Sequence, residues 1–320
     1  MPILELCAGY GGLGLAVEAL TGERLHYVAE VDPHASKILA ARFPQAVNLG
    51  DVTAIDWASL IGEVNVTTAG FPCQGISNAG KRKGLADERS AIWFDVLKSI
   101  RTIRPELVCL ENVAAIRRRG LPEVLGGLAE AGYDSRWISL RATEVGAAHN
   151  RERWFCAAVP RTLGADPWAR WRHAVEGLGQ GAASAGTGQL SRAARGAGEA
   201  HLRLPDAGGV RRDWRTRLLA HSAGWPQPSD PGHSPAAWWG DYLPAVRQWE
   251  DLTGRMAPPP TERGPRGGVR LAAAWAEWLM GLPAGWVTDV EGLKRADQLR
   301  AIGNGVMPQQ AVEALRRLLA

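Results

Sequence analysis

Residues 69–80 read A-G-F-P-C-Q-G-I-S-N-A-G, which sets Cys73 directly after a proline and between glycines, just past an apolar run. A cysteine is more often a small buried hydrophobe. In a Gly/Pro loop beside Lys81, Arg82 and Lys83, Cys73 suits a nucleophile whose thiolate is favoured by nearby positive charge. Gly75, Gly80 and Gly84 in the following stretch read as a lid able to close on an anionic substrate. In P-E-L-V-C-L-E-N-V, Glu111 ends an apolar strand pattern, so its carboxylate is expected on the same sheet edge as Cys73. Partial burial there would raise its pKa and let it hold a proton near neutrality. In V-G-A-A-H-N-R-E-R, Arg151 and Arg153 alternate and share a face if the chain is extended. They could meet a base edge or phosphate, or stabilise the nucleophile.

A second constellation looks like a cofactor loop. L-E-L-C-A-G-Y-G-G-L-G runs from a strand pattern into a helical one, with Gly9, Gly11 and Gly14 spaced as G-x-G-x-x-G and Glu30 at the end of the next strand pattern. Such glycines allow a tight turn and close approach to a ligand, and the carboxylate could hold ribose hydroxyls. The spacing implies a nucleotide-like cofactor without choosing between a nicotinamide dinucleotide and S-adenosylmethionine. Asp51, in L-G-D-V-T, could accept from an adenine amine or simply cap a helix.

The elements that must position these residues alternate over residues 2–159. Strand patterns at 3–7, 25–31, 64–69, 107–111, 137–140 and 154–159 are separated by amphipathic stretches at 13–20, 35–43, 90–100 and 121–131. This is α/β architecture. From 160 to 268 the periodicity fades; the segment holds fourteen arginines, no lysine and ten acidic residues, with tryptophans interleaved. All of the net charge of +4 therefore resides there, as suits a nucleic-acid surface or a solvated loop-rich domain. Helical patterns return at 269–280 and 309–319. The four cysteines show no C-x-x-C pair, which argues against a disulfide framework or a metal site. No apolar run reaches membrane-spanning length and the start shows no signal-peptide pattern, so a cytoplasmic setting is expected.

Taken in order, Ala8 to Gly12, Pro72-Cys73-Gln74, Glu111-Asn112-Val113, Arg151-Glu152-Arg153 and Gly303-Asn304-Gly305-Val306 resemble the motif series of the DNA (cytosine-5)-methyltransferase family. The resemblance covers about residues 1–159 and 269–320. It implies a doubly wound, Rossmann-like S-adenosylmethionine-dependent methyltransferase sheet at 1–159, a smaller target-recognition domain at 160–268, and a C-terminal return to the catalytic domain at 269–320.

The resemblance also implies roles. Cys73 would add to carbon 6 of a flipped cytosine, Glu111 would bond ring nitrogen 3 and the amine, Arg153 would bind the base carbonyl, and Arg151 would help position the loop and nucleophile. The S-adenosylmethionine site would comprise Cys7, Ala8, Gly9, Tyr10, Gly11 and Gly12, then Glu30 with Val31 and Asp51 with Val52. Pro72, Ile92, Asn304 and Gly305 would complete it. The chain departs from the family's usual residues at Glu5 (Asp), Cys7 (Phe), Val31 (Trp), His149-Asn150 (Gln) and Gly305 (Ser). The partners implied are double-stranded DNA and a cognate restriction endonuclease, for a monomer in a prokaryotic or phage-infected cell. A tRNA methyltransferase of the same family shares the mechanism. A nicotinamide-dependent oxidoreductase fits the glycines but leaves Cys73, Glu111 and Asn304 unused, and a catalytically dead DNA-binding protein leaves Cys73 and Glu111 unused.

Overall fold

The computed structural model describes residues 2–72, 92–164, 166–176 and 239–320. Cys73, the Lys/Arg stretch behind it and most of the 160–268 segment lie outside the described residues. Helices and strands alternate where the apolar runs alternate with helical patterns. In chain order they are β1 (Pro2–Leu6), α1 (Gly12–Thr21), β2 (Arg24–Ala29), α2 (Pro33–Arg42), β3 (Val47–Asn48), β4 (Val66–Ala69), α3 (Ile92–Ile103), β5 (Leu107–Val113), α4 (Ile116–Arg119), α5 (Leu121–Glu130), β6 (Tyr133–Arg141), β7 (Glu152–Pro160) and α6 (Ala169–Glu176). Beyond residue 238 follow α7 (Leu243–Thr253), β8 (Thr261–Arg263), β9 (Val269–Leu271), α8 (Ala273–Leu279), α9 (Arg295–Asn304) and α10 (Pro308–Leu319).

Seven strands form one sheet in the order β3-β2-β1-β4-β5-β7-β6. The strands from β1 to β5 are parallel, and β7 enters antiparallel between β5 and β6. The winding direction reverses between β1 and β4, so a crevice opens outside their carboxyl ends, where open α/β sheets bind ligands. Side chains alternate between the two faces: Ile3, Leu107, Cys109, Phe155 and Ala157 join one core, and Leu4, Val108, Leu110, Trp154 and Cys156 the other. Both faces are apolar because both are covered. Leu13 and Val17 of α1, Ile38 of α2 and Leu315 of α10 close the first. Trp93, Val96 and Ile100 of α3, with Val124 and Leu128 of α5, close the second. Cys109 and Cys156 are fully buried, and burial pushes both thiols far up, as befits small hydrophobes.

Several elements differ from expectation for identifiable reasons. β6 runs from Tyr133 to Arg141, well beyond 137–140, because it is an edge strand whose polar residues hide its ends. The 269–280 pattern divides into β9 and α8. In α9 only Ile302 is buried, so it shows no apolar stripe in sequence. The core also extends past residue 160. Trp168 and Trp171 pack with α1 and α10, and Trp168 donates to Asp134 Oδ2 at 3.0 Å. On the far side of the undescribed stretch, Trp239, Trp275 and Trp278 stack at 4.7 and 4.9 Å, and Trp249 donates to the Trp278 carbonyl at 3.0 Å. Among the described residues, no helix is long and apolar enough to cross a membrane, and no cluster of metal ligands forms.

α10 packs on α1, β6 and β7, which makes it part of the layer behind the crevice. Leu315→Ala, removing a fully buried side chain there, is expected to cost about 2–5 kcal/mol in a denaturant titration. An unchanged midpoint would show that α10 is peripheral to the fold.

Candidate active site

The crevice is lined on one side by the β1–α1 turn. Cys7 adopts a left-handed backbone (φ 54°), as do Gly9 (57°) and Gly11 (81°). Gly12 is required for space: a Cβ there would run into the Val306 carbonyl and the Tyr10 ring. Ala8 is buried beneath the turn. From β1, Glu5 reaches under the loop, and its Oε2 accepts from the Gly14 N–H at 3.0 Å. A carboxyl from the sheet thus satisfies one of the unpaired donors of the first turn of α1. Burial pushes the Glu5 pKa up to about 8, against the lowering effect of the Gly14 and Leu13 N–H groups.

At the end of β2, Glu30 is held in place by its own carboxylate. Oε2 accepts from Gly9 N–H and Oε1 from Asp32 N–H, each at 2.8 Å. Asn48 braces the Glu30 backbone through its N–H and its carbonyl, each at 3.1 Å. Asp51 Oδ1 accepts from the N–H and Oγ1 of Thr53, both at 2.9 Å, which lowers its pKa and forms a side-chain turn rather than a helix cap. Burial, then Glu30, Asp51 and Glu5, push the Cys7 thiol up to about 12. Val31, 67% exposed, presents apolar surface beside Glu30, whereas Val52 is buried in the core. Carboxylate acceptors next to an apolar surface suit the hydroxyls, amine and ring of a nucleoside. A pyrophosphate would meet carboxylates here, and Glu5 already occupies the donor at Gly14.

The other side of the crevice is built by β4, β5 and β7. Glu111, 7% exposed at the end of β5, pairs with Arg153 Nε at 3.0 Å. Burial raises its pKa, and Arg153 and Arg151 oppose the rise. The neighbouring Asn112 donates from Nδ2 to the Phe71 carbonyl at 3.1 Å. Phe71 is itself buried against Trp93 at 5.3 Å, so the chain is anchored as it enters Pro72. The next residue, Cys73, and the expected lid lie outside the described residues. A Cβ placed on Gly70 would lie 3.7 Å from Glu111 Oε2, 3.8 Å from Val306 and 3.9 Å from the Cys7 carbonyl. The cofactor loop, the carboxylate strand and the C-terminal segment therefore meet at Gly70.

Arg151 is directed elsewhere than Arg153. Its guanidinium donates to the carbonyls of Gly303 (3.1 Å) and Gly305 (2.6 Å). Burial and the Arg153 charge lower its pKa to about 10. Its own carbonyl accepts from Gln310 Nε2 at 2.8 Å. His149 is kept neutral, its pKa pushed down to about 3 by burial and the two arginines. Asn304 is exposed at the end of α9 while Gly305 is buried. Ile92 is half-buried at the start of α3. The Tyr10 side chain is turned away from solvent and donates its hydroxyl to the Val306 carbonyl at 2.6 Å. Trp286 Nε1 donates to the Tyr10 carbonyl at 3.1 Å.

Asn112, Gln310 and Trp286 are the positioning side chains that motif reading overlooks. Asn112 stands inside E-N-V, and Gln310 is a polar residue within an apolar helical stripe, so both left a signal. Trp286 stands in L-M-G-L-P-A-G-W-V (279–287), a stretch that reads as support for the C-terminal junction, but its partner Tyr10 is distant in sequence and no local pattern names it.

The family described as C-5 cytosine-specific DNA methylase has a model that matches residues 1–173. The type II methyltransferase M.CviJI of Paramecium bursaria Chlorella virus IL3A is 34% identical over 157 residues, 49% of this chain and 42% of the relative. M.NlaX of Neisseria lactamica is 35% identical over 156 residues, 47% of this chain and 50% of the relative. The matched regions thus span about half the length of these relatives. In fold, the chain is similar over its full length to the S. pombe Dnmt2 methyltransferase structure, which is covered to 98%, at TM-score 0.59 and 17% identity. It is also similar over 99% of its length to a putative DNA modification methyltransferase from an E. coli prophage, covered to 97%, at TM-score 0.57 and 19% identity.

Because Glu5 holds its proton more tightly when folded, its contribution to stability is complete below the ordinary carboxylate pKa and is lost as pH rises through about 8. Glu5→Gln cannot ionise. Its unfolding midpoint is expected to match the parent near pH 5 and to exceed it by several degrees near pH 8. A difference independent of pH would refute this assignment.

Proposed function

Since the chain belongs to the C-5 cytosine-specific DNA methylase family, we propose that it is a DNA (cytosine-5)-methyltransferase acting on a cytosine flipped out of duplex DNA. The observation that carries the reading is the buried Glu111–Arg153 pair, beside the strand end that leads through Pro72 to Cys73. A carboxyl held towards its protonated form can bond ring nitrogen 3 of cytosine, and the guanidinium that aligns it can also meet the base carbonyl.

The residues then divide the work. The Cys73 thiolate adds to carbon 6, and a proton on Glu111 settles nitrogen 3, which turns the ring into an enamine rich at carbon 5. Bound S-adenosylmethionine would supply the methyl group that carbon 5 takes, its sulfonium leaving as the neutral thioether of S-adenosylhomocysteine. Loss of the carbon 5 proton to a base, departure of Cys73 as thiolate and return of the nitrogen 3 proton to Glu111 restore the neutral aromatic ring. Glu30 would hold the ribose hydroxyls, Asp51 the adenine amine, Val31 and Ile92 the apolar walls, and Asn304 the methionine end. Glu30 and Glu5 already occupy the Gly9 and Gly14 N–H groups that a dinucleotide's pyrophosphate would use, which argues against the oxidoreductase reading. None of the chemistry is possible within a stacked duplex, so the base must leave it. The Arg-rich 160–268 segment would read the DNA, and the matched relatives, named type II methyltransferases, support a cognate restriction endonuclease as partner.

Incubation with methyl-labelled S-adenosylmethionine and either duplex DNA or tRNA tests the substrate. Label is expected in DNA; label in tRNA alone would move the chain to the RNA reading, and label in neither despite cofactor binding would overturn the enzyme. Cys73→Ala is expected to abolish transfer, a loss of at least about a thousandfold, while retaining cofactor binding. Residual turnover near the parent rate would remove Cys73 from the mechanism.

A further inference from the structure

We infer that Tyr10 is a positioning residue that locks the cofactor loop to the Gly303–Val306 segment, and that Gly305 is its obligatory partner. The inference rests on reading this crevice as the S-adenosylmethionine site. Tyr10 is fully buried, and its hydroxyl donates to the Val306 carbonyl at 2.6 Å. Its ring fills the space that a side chain at residue 305 would need: a Cβ on Gly305 would overlap Cε1, Cζ and Cδ1 of Tyr10. Gly305 has an ordinary backbone (φ −77°), so no left-handed turn demands glycine there. The demand is for room, and Tyr10 creates it.

Both partners are held from behind. Trp286 Nε1 donates to the Tyr10 carbonyl at 3.1 Å, and Trp286 is set in turn by Phe43 at 5.7 Å and by Arg42 Nε on its carbonyl at 2.7 Å. Arg151 donates to the Gly305 carbonyl at 2.6 Å. Gly305 is thus held by both a ring from the cofactor loop and a guanidinium from the Arg151-Glu152-Arg153 segment. Asn304, adjacent and exposed, is carried on this clamp. Its position relative to Gly9 and Glu30 is therefore set by the Tyr10 ring and hydroxyl. The hydroxyl is fully buried and its one proton is committed to Val306, so it has no donor left for a ligand.

A mutant cycle over Tyr10→Ala, Gly305→Ser and the double variant tests the lock. Two readouts are used: S-adenosylhomocysteine affinity by calorimetry, well below every unfolding midpoint, and unfolding of the ligand-free protein. Gly305→Ser, forced against the ring, is expected to weaken binding by at least about tenfold and to lower the midpoint. In the Tyr10→Ala background the same serine enters vacated space, so both penalties should largely vanish. Additive penalties in both readouts would overturn the lock. If Gly305→Ser does not fold, Gly305→Ala replaces it in the cycle, and Tyr10→Phe, which keeps the ring but leaves the Val306 carbonyl unpaired, should weaken binding about fivefold. A Tyr10→Phe affinity equal to the parent's would remove the hydroxyl from the proposal. Should the parent bind no S-adenosylhomocysteine, the cofactor reading fails, while the ligand-free unfolding cycle still decides whether the lock exists.

Discussion

The site depends on one buried charge finding partners. Arg151 has been taken out of water, and the lowering of its pKa to about 10 records the cost. The carbonyls of Gly303 and Gly305 compensate it. These bonds join residues more than a hundred and fifty positions apart in sequence, and the rest of the crevice is arranged around them. Gln310 holds the Arg151 carbonyl from α10, so the helix that covers the sheet also fixes the strand end carrying both arginines. With Arg151 committed to backbone, Arg153 is the arginine that pairs directly with Glu111. Two arginines two residues apart thereby make separate contacts, one with backbone carbonyls and one with a buried carboxyl.

The electrostatics divide along the same line. At the β1–α1 turn, burial first, and then Glu30, Asp51 and Glu5, suppress the Cys7 thiolate. At the end of β5, burial raises the Glu111 pKa while Arg153 and Arg151 oppose the rise. Under the proposed function, the first region would take the cationic methyl donor and the second would meet the base, with Gly70 between them. The topological reversal between β1 and β4 is what brings them within reach.

Much of this was legible in the sequence. The β1–α1 glycines, Glu30 and Glu111 could be placed because each ends an apolar run, and a parallel sheet sends all such ends to one edge. The strands buried on both faces are plain in sequence, whereas the pattern of β6 looks short because its solvent-facing residues are polar. Helix α9 shows no stripe, since it has one buried residue. Tyr10 belongs to the glycine loop, but its side-chain direction depends on Gly305 and Val306, contacts that no local pattern encodes. The departure at Gly305 is visible in sequence and its physical reason is not. Composition groups Trp168 and Trp171 with the Arg-rich segment, although they belong to the core of the first sheet face.

The central claim is a covalent bond between Cys73 and carbon 6 of a cytosine in DNA. Replacing the target cytosine with 5-fluorocytosine tests it directly, because a carbon 5 fluorine cannot leave as a proton does and the adduct cannot resolve. With S-adenosylmethionine present, mass spectrometry of the digested complex should find the methylated fluorocytosine nucleotide attached to the peptide containing Cys73. Absence of any adduct, or attachment at another residue, would contradict the account.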